Sequence, residues 1–218
     1  MIIAIDGPAG AGKSTIAKSI AKKLGYLYLD TGAMYRALTY KVLEDNIDIT
    51  DIEGITEAAR SINIDLVNNP DGSLQVLLNK ADVSQKIREP RITKFVSDIA
   101  KIKDVRLVML DLQRRLGQKG NCILDGRDIG TVVFPNAQKK FYLDADFKER
   151  VGRRFKELKT MGQEITQDSV DKDLSNRDRI DSTREFAPLK RADDAIYVDT
   201  TNMSIEQVID TILKHILT

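Results

Sequence analysis

A glycine-rich segment near the start of the chain limits the possible folds more than any other feature. Residues 7–14 read Gly-Pro-Ala-Gly-Ala-Gly-Lys-Ser and fit the pattern G-x-x-x-x-G-K-[ST]. A short apolar run, Ile2–Asp6, precedes the segment, and a helical hydrophobic pattern, Lys13–Leu24, follows it. Glycines let the backbone curl so that its N–H groups point inward, and the helix adds a positive N-terminal end. The sequence therefore predicts a phosphate-binding loop, called the P-loop below.

Two side chains of the P-loop have specific predicted roles in nucleotide binding. We expect Lys13 to reach the β- and γ-phosphates of ATP and Ser14 to ligate Mg²⁺. The loop and the residue after it are expected to hold the phosphate chain. The predicted ATP contacts here are Gly7, Pro8, Ala9, Gly10, Ala11, Gly12, Lys13, Ser14 and Thr15.

The hydrophobic pattern along the chain predicts strands that alternate with helices. Short apolar runs separated by helical patterns are typical of parallel strands joined by crossover helices. Thr31 is a predicted cap for the second helix. The apolar runs lie at 2–6, 26–30, 122–125, 139–143 and 195–198, and the helical patterns lie at 13–24, 33–44, 92–116, 146–159, 169–184 and 205–216.

The middle of the chain follows a different period. Residues 61–67 and 73–79 alternate apolar and polar side chains around a turn at 68–72, which predicts an antiparallel hairpin. The predicted fold class is therefore α/β. It is a doubly wound five-stranded parallel sheet with helices on both faces, a small antiparallel inserted lobe and a helical lid.

We expect a single domain over residues 1–218. Its core is predicted to consist of about 1–60, 91–145 and 190–218, its inserted lobe of about 60–90, and its lid of about 146–185.

Composition excludes several classes of partner. Lysine and arginine number 34 against 33 aspartates and glutamates, so the net charge of +1 gives no overall field for nucleic acid or a membrane surface. Cys122 is the only cysteine, so no internal disulfide is expected. The start of the chain lacks an export signal, and no apolar run approaches the length of a bilayer span. We expect a cytoplasmic protein, and a monomer.

Two short matches to GTPase motifs suggest an alternative, a nucleotide-driven switch. Residues 51–54 fit D-x-x-G, and residues 79–82 fit N-K-x-D. A GTPase needs two helices and two strands between these motifs, on the order of 45 residues or more. Only residues 55–78 separate them here, and residues 46–50 lack the apolar strand that should precede Asp51. The spacing therefore disfavours a switch.

Arginines cluster in the segments that follow the predicted strands. Phosphoryl transfer depends on positioning and on neutralising charge, and the planar guanidinium binds phosphate oxygens in pairs. A simpler interpretation stays open for two groups: an ion-paired solvated helix for residues 177–184, and a basic helix face for Arg153 and Arg154. The clustered arginines are Arg36, Arg127, Arg153, Arg154, Arg177, Arg179 and Arg184.

Three blocks of sequence resemble the bacterial cytidylate kinases, which are P-loop nucleoside monophosphate kinases. They are residues 30–36 (Asp-Thr-Gly-Ala-Met-Tyr-Arg), 125–135 (Asp-Gly-Arg-Asp-Ile-Gly-Thr-Val-Val-Phe-Pro) and 177–184 (Arg-Asp-Arg-Ile-Asp-Ser-Thr-Arg). The resemblance runs nearly end to end. Thr31 stands where the family often has serine, and Lys103 stands where it commonly has proline.

The resemblance implies an activity: transfer of the γ-phosphate of ATP to CMP and dCMP, giving CDP and dCDP, with Mg²⁺ as cofactor. The inserted lobe would bind the nucleoside monophosphate. The same chemistry on UMP or another small acceptor remains an alternative, because the P-loop itself also fits adenylate, thymidylate, shikimate and dephospho-CoA kinases.

The resemblance also implies residue roles. Arg36 and Arg127, with Tyr35 nearby, would hold the acceptor's phosphate. Arg153 and Arg154 would close over the ATP phosphates. The implied CMP site consists of Thr31, Tyr35, Arg36, Ser97, Arg106, Asp125, Arg127, Asp128, Arg177, Asp181 and Arg184, in which Ser97, Arg106 and Asp128 would read cytosine and Arg177 and Asp181 would contact the pentose. The expected catalytic residues are Lys13, Arg127, Arg153 and Arg177.

Overall fold

Two β-sheets organise the computed structural model, which describes residues 1–217. The larger sheet has five strands and the smaller has three. Residue 218, the last of the predicted domain, lies outside the described residues. The strands are β1 (Ile2–Asp6), β2 (Leu27–Asp30), β3 (Ile64–Asn68), β4 (Leu74–Leu78), β5 (Ala81–Asp82), β6 (Cys122–Gly126), β7 (Lys139–Asp144) and β8 (Ile196–Asp199).

Helices connect and cover these strands. A 3₁₀ turn (Lys86–Arg88) and a short π-helical turn (Ile129–Val133) supplement them. The α-helices are α1 (Lys13–Leu24), α2 (Thr31–Glu44), α3 (Ile52–Ser61), α4 (Pro90–Ala100), α5 (Lys103–Gly117), α6 (Phe147–Thr160), α7 (Gln167–Thr183) and α8 (Ile205–Leu217).

The larger sheet is parallel throughout, with the strand order β2-β6-β1-β7-β8. Asp125 at the end of β6 pairs with Ile5 on one side and with Asp30 on the other. The carboxyl ends of these strands therefore lie at one edge, where open α/β sheets bind ligands. This register brings the P-loop next to the segment that follows β6.

Apolar side chains cover both faces of the larger sheet, as a parallel sheet requires. One cluster, including Met34, Leu38 and Met109, packs the helices α2 to α5 against the sheet. The other, including Ile20 and Ile212, packs α1 and α8 on the opposite face. The predicted doubly wound α/β sheet with helices on both faces is confirmed.

The predicted hairpin is present as β3 and β4, and the structure adds a third short strand. Asn79 and Lys80 both have positive φ, 49° and 71°, and turn the chain from β4 into β5. The side chain of Asn79 also accepts a hydrogen bond from the N–H of Asn63 at 2.8 Å. The N-K-x-D match is therefore a turn of the smaller sheet. The division into core, lobe and lid stays a prediction.

Two expectations about helices were wrong. The pattern at 92–116 predicted one helix, but the chain breaks at Ile102, whose backbone is extended (φ −65°, ψ 120°) before α5 begins. The predicted cap, Thr31, lies inside α2, and Asp30 caps the helix by accepting from the N–H of Ala33 at 2.8 Å. The Thr31 hydroxyl instead donates to the carbonyl of Asp125 at 2.7 Å.

The predicted lid corresponds to α6 and α7, which pack against each other and against the P-loop. Ala9 of the P-loop shares a small buried cluster with Val151, Val170 and Leu174. In the described part of the chain, no helix combines the length and apolar character that crossing a membrane requires.

Gly7 should tolerate no side chain, because its backbone (φ 147°) faces the strand β7. A Cβ at this position would lie 1.9 Å from the carbonyl oxygen of Leu143. We expect Gly7→Ala to lower the free energy of unfolding by about 3 kcal/mol, as measured by urea denaturation. Gly120→Ala is the control, since a Cβ there meets no atom within 4 Å. Equal stability of the two variants would contradict this account.

Candidate active site

One cavity of about 750 Å³ opens at the carboxyl edge of the larger sheet. It lies between the P-loop, the ends of β2 and β6, and the helices α2, α4, α5, α6 and α7. Of the predicted site residues, Gly7 and Pro8 do not line it. Those that do are Ala9, Gly10, Ala11, Gly12, Lys13, Ser14, Thr15, Thr31, Tyr35, Arg36, Ser97, Arg106, Asp125, Arg127, Asp128, Arg153, Arg154, Arg177, Asp181 and Arg184.

The P-loop curls around the ammonium group of Lys13. Gly10 and Gly12 take positive φ values of 78° and 86°, a conformation that favours glycine. The Nζ of Lys13 donates to the carbonyl of Pro8 at 2.6 Å. Burial, together with the nearby charge of Arg127, lowers the pKa of Lys13 to about 7. An anion placed beside this ammonium would stabilise its protonated form.

Ser14 and Asp125 meet at the junction of α1 and β6. The Ser14 hydroxyl donates to Oδ2 of Asp125 at 2.7 Å, and the Tyr28 hydroxyl donates to Oδ1 at 2.9 Å. Burial raises the pKa of Asp125 to about 6, and the negative charge of Asp30 adds to this shift. The carboxylate of Asp125 thus lies on the P-loop side of the cavity, beside Ser14.

These oxygen atoms suit a small hard cation. In residues 1–217 no group of three or more histidine, cysteine, aspartate or glutamate side chains could hold a metal ion. Mg²⁺ seldom needs such a cage, since it keeps several waters and binds one or two protein oxygens together with substrate phosphates. The Ser14 hydroxyl and the adjoining Asp125 carboxylate fit that requirement.

A buried chain of alternating charges lines the other side of the cavity. Asp128 accepts from Arg106 at 2.6 Å and from Arg184 at 3.3 Å. Arg184 also contacts Asp181 at 3.3 Å, and Asp181 accepts from Nε of Arg127 at 2.8 Å. Asp128, Asp181, Arg106 and Arg184 are each no more than 9% exposed. A solvated ion-paired helix for residues 177–184 is therefore wrong for Asp181 and Arg184.

The remaining cavity arginines concentrate positive charge. The Nε of Arg177 is buried without a hydrogen-bond partner. Burial, together with the charges of the neighbouring Arg36 and Arg127, lowers the pKa of Arg177 to about 10. Burial also lowers the pKa of Arg36, and the positive charges of Arg154, Arg88 and Arg127 act in the same direction. Such a group of cations attracts an anion with several oxygens, such as a phosphate.

The two predicted lid arginines form hydrogen bonds and ion pairs with other residues of the protein. Arg153 donates to the Thr200 hydroxyl at 2.9 Å, to the Thr200 carbonyl at 2.6 Å and to Glu149 at 3.0 Å. Arg154 pairs with Glu157 at 2.8 Å. Arg153 therefore ties α6 to the loop after β8. Its closure over phosphates stays a prediction.

Sequence reasoning missed several residues of the site. Arg88, in the 3₁₀ turn after the smaller sheet, lines the cavity beside the predicted phosphate-binding arginines. Arg150 and Asp178 contact the P-loop. Asp6, at the end of β1, accepts from the N–H groups of Ile129 at 2.8 Å and Gly130 at 2.7 Å. The sequence signal that could have identified Asp6 is a charged residue at the end of an apolar strand.

Comparison with known proteins identifies the family to which these features belong. The family model described as Cytidylate kinase matches residues 3–218. The chain belongs to the cytidylate kinase family. This result confirms the family inferred from residues 30–36, 125–135 and 177–184.

Individual relatives agree with the family match. The cytidylate kinase of Fusobacterium nucleatum subsp. nucleatum is 53% identical, with 99% of this chain and 97% of the relative covered. The cytidylate kinase of Alkaliphilus oremlandii is 52% identical, with 97% of this chain and 95% of the relative covered. A shikimate kinase structure from Bacteroides thetaiotaomicron shares the fold at 11% identity, with a TM-score of 0.50 over 100% of this chain and 99% of the other.

Asp6 should make the stability of this protein depend on pH. Burial raises the pKa of Asp6 to about 7, from 3.8 for an ordinary aspartate, although the N–H groups of Gly130 and Ile129 oppose the shift. The folded protein therefore holds this proton more tightly than the unfolded chain. Asp6 accordingly destabilises the fold progressively as the pH rises from about 4 to about 7, by at most about 1.4 kcal/mol per pH unit.

Asp6→Asn removes this titration. The stability of the native protein relative to Asp6→Asn should be greater at about pH 5 than at about pH 7.5 in urea denaturation. Asp111→Asn, which changes an exposed carboxylate, controls for net charge. A relative stability that is the same at both pH values would contradict the raised pKa.

Proposed function

We propose that this protein transfers the γ-phosphate of ATP to CMP and dCMP, giving CDP and dCDP. One observation carries the proposal: the same cavity that the P-loop lines contains a buried carboxylate, Asp128, held between Arg106 and Arg184. The P-loop accounts for the donor alone. The carboxylate with its flanking arginines supplies groups that suit a pyrimidine with an exocyclic amine, and the chain's relatives are cytidylate kinases.

The donor nucleotide binds at the P-loop. The loop N–H groups and the N-terminus of α1 face the phosphate chain, and Lys13 contributes a charge beside the β- and γ-phosphates. Ser14 and Asp125 would hold Mg²⁺ beside the phosphate chain. When bound, Mg²⁺ supplies positive charge that neutralises the moving phosphoryl group.

The acceptor's phosphate binds among Arg36, Arg127 and Arg177. Each lines the cavity, and the charge of Arg127 acts to lower the pKa of both Arg36 and Arg177, which is consistent with three neighbouring cations. Repulsion of this kind is relieved by a bound dianion, which gives the acceptor phosphate its binding energy. Arg127 also lies near Lys13, so it can contact the phosphoryl group between donor and acceptor.

The base binds beside Asp128. Cytosine presents an amine that donates and N3 and O2 atoms that accept, so its edge needs both a carboxylate and donors. Asp128 provides the carboxylate, and Arg106 and Ser97 provide donors on the same cavity wall. The pentose then lies toward Asp181 and Arg177. Uracil has a carbonyl where cytosine has the amine, so it would face Asp128 oxygen to oxygen.

The reaction follows from this placement. In-line transfer between two phosphates needs no covalent intermediate and little proton removal, so positioning and charge neutralisation supply the catalysis. Lys13, Arg127 and Arg177 are the cationic side chains around the transferred group. Arg153 holds the loop after β8 against the donor side of the cavity. We further propose a cytoplasmic monomer that needs no nucleic acid or membrane.

An acceptor panel tests the proposed activity. ADP formation from ATP is measured by a coupled assay with CMP, dCMP, UMP and AMP, each with Mg²⁺ and with EDTA. We expect CMP and dCMP to react at least about tenfold faster than UMP or AMP, and EDTA to abolish turnover. Equal rates with AMP would overturn the cytidine assignment. Acceptor-independent hydrolysis with guanine preference would indicate a switch instead.

Arg127→Ala should lower kcat by at least about 100-fold, because its charge matters most when the phosphoryl group is between donor and acceptor. Steady-state kinetics with saturating ATP and CMP measures this loss. Arg115→Ala, which removes an exposed arginine of α5, is the matched control and should leave kcat within about twofold. An unchanged kcat for Arg127→Ala would refute the role of Arg127.

A further inference from the structure

The helix α7 contacts both the donor loop and the acceptor network. Asp178 and Asp181 are three residues apart, so they lie at neighbouring positions on one face of this helix, and Arg184 is the residue directly after it. Asp181 binds Arg127, and Arg184 binds Asp128. Asp178 instead reaches the P-loop.

Asp178 and Arg150 together bind both polar backbone groups of Ala9. Oδ1 of Asp178 accepts from the Ala9 N–H at 3.1 Å, and Nη1 of Arg150 donates to the Ala9 carbonyl at 2.9 Å. The same Nη1 donates to Oδ2 of Asp178 at 2.5 Å, and Nε of Arg150 donates to the carbonyl of Ala145 at 3.1 Å. The P-loop is therefore connected to α6, to α7 and to the end of β7.

Close packing reinforces this connection. Ala9 is 4% exposed and packs with Val151, Val170 and Leu174 from the two helices. A Cβ on Gly10 would lie 3.0 Å from the Cβ of Arg150. The tip of the P-loop thus rests directly on α6 and α7.

The charges of Asp178 and Arg150 matter because both side chains lie at the P-loop. A lone carboxylate at the tip of a phosphate-binding loop would repel the nucleotide. Arg150 neutralises Asp178, so the loop gains two hydrogen bonds to charged groups without a net negative charge near the phosphates. The ion pair thus binds both backbone groups of Ala9 while its own two charges cancel.

We propose that Arg150 and Asp178 are a positioning pair for the donor nucleotide. They hold the P-loop, through the Ala9 peptide groups, in the shape that binds the ATP phosphates. Neither side chain needs to touch the nucleotide. The proposal rests on the proposed function only in that the P-loop binds ATP.

Asp178→Asn is the first test, because it keeps the size of the side chain and removes its charge. Whichever way the amide is turned, its NH₂ group faces a donor, either the Ala9 N–H or Arg150. Isothermal titration calorimetry measures the Kd of ADP with Mg²⁺ and, separately, the Kd of CMP. We expect the Kd of ADP to rise about tenfold and the Kd of CMP to change less than about twofold.

Arg150→Gln is a second variant, and it separates the effect of charge from the effect of lost hydrogen bonds. It leaves Asp178 without its cation beside the phosphates, so ADP binding should weaken more than in Asp178→Asn. The double variant Arg150→Gln/Asp178→Asn removes that uncompensated charge and should bind ADP more tightly than Arg150→Gln alone. A purely structural role predicts the opposite, a further loss in the double variant.

Asp171→Asn is the matched control, since it removes an exposed carboxylate from the same helix. It should leave both Kd values within about twofold. The proposal is overturned if Asp178→Asn leaves ADP binding unchanged, if it weakens ADP and CMP by the same factor, or if the double variant binds ADP no better than Arg150→Gln. If the native protein fails to phosphorylate CMP, the proposed function fails, while the ADP measurements still test the pair.

Discussion

Parallel pairing of β1 with β6 is the constraint on which the rest of the structure depends. It places Asp6 beside Gly126, so the P-loop leaves one strand at the level where Arg127 and Asp128 leave the next. The pairing is enforced by burial, because both strands are covered by apolar helices on each face. Donor and acceptor groups are therefore neighbours as a result of hydrophobic packing, before any charge interaction is considered.

Buried charges then give the cavity its selectivity. Removing ions from water costs free energy, and a buried ion pair regains that cost only with good geometry and full hydrogen bonding. Asp128 and Asp181 meet this condition through the arginines around them. Arg36 and Arg177 form no ion pair within residues 1–217, and burial lowers the pKa of each, which is why we propose them as phosphate-binding groups. Stability thus favours arginines that are paired with carboxylates, whereas anion binding favours neighbouring arginines that are unpaired.

The helix α7 connects the two halves of the site. Asp178 holds the P-loop through Ala9, and Asp181 and Arg184 hold the acceptor side. A single rigid element that contacts both regions fixes the distance between them, and in-line transfer depends on that distance. The helix that the sequence presents as a polar lid is, at its end, a structural support for the active site.

The sequence by itself determined the fold class and the P-loop, because periodic burial and glycine conformation are local properties that short segments encode. The family followed from the resemblance of the motifs at 30–36, 125–135 and 177–184. All of the predicted site residues except Gly7 and Pro8 line the cavity, and these three motifs contain most of the predicted CMP contacts among them. Only the tertiary structure decided which polar groups pair. Asp125 with Ser14, Asp6 with Ile129, and Arg150 with Asp178 join segments that lie far apart in the sequence. Such choices depend on distances in three dimensions, which no local pattern records.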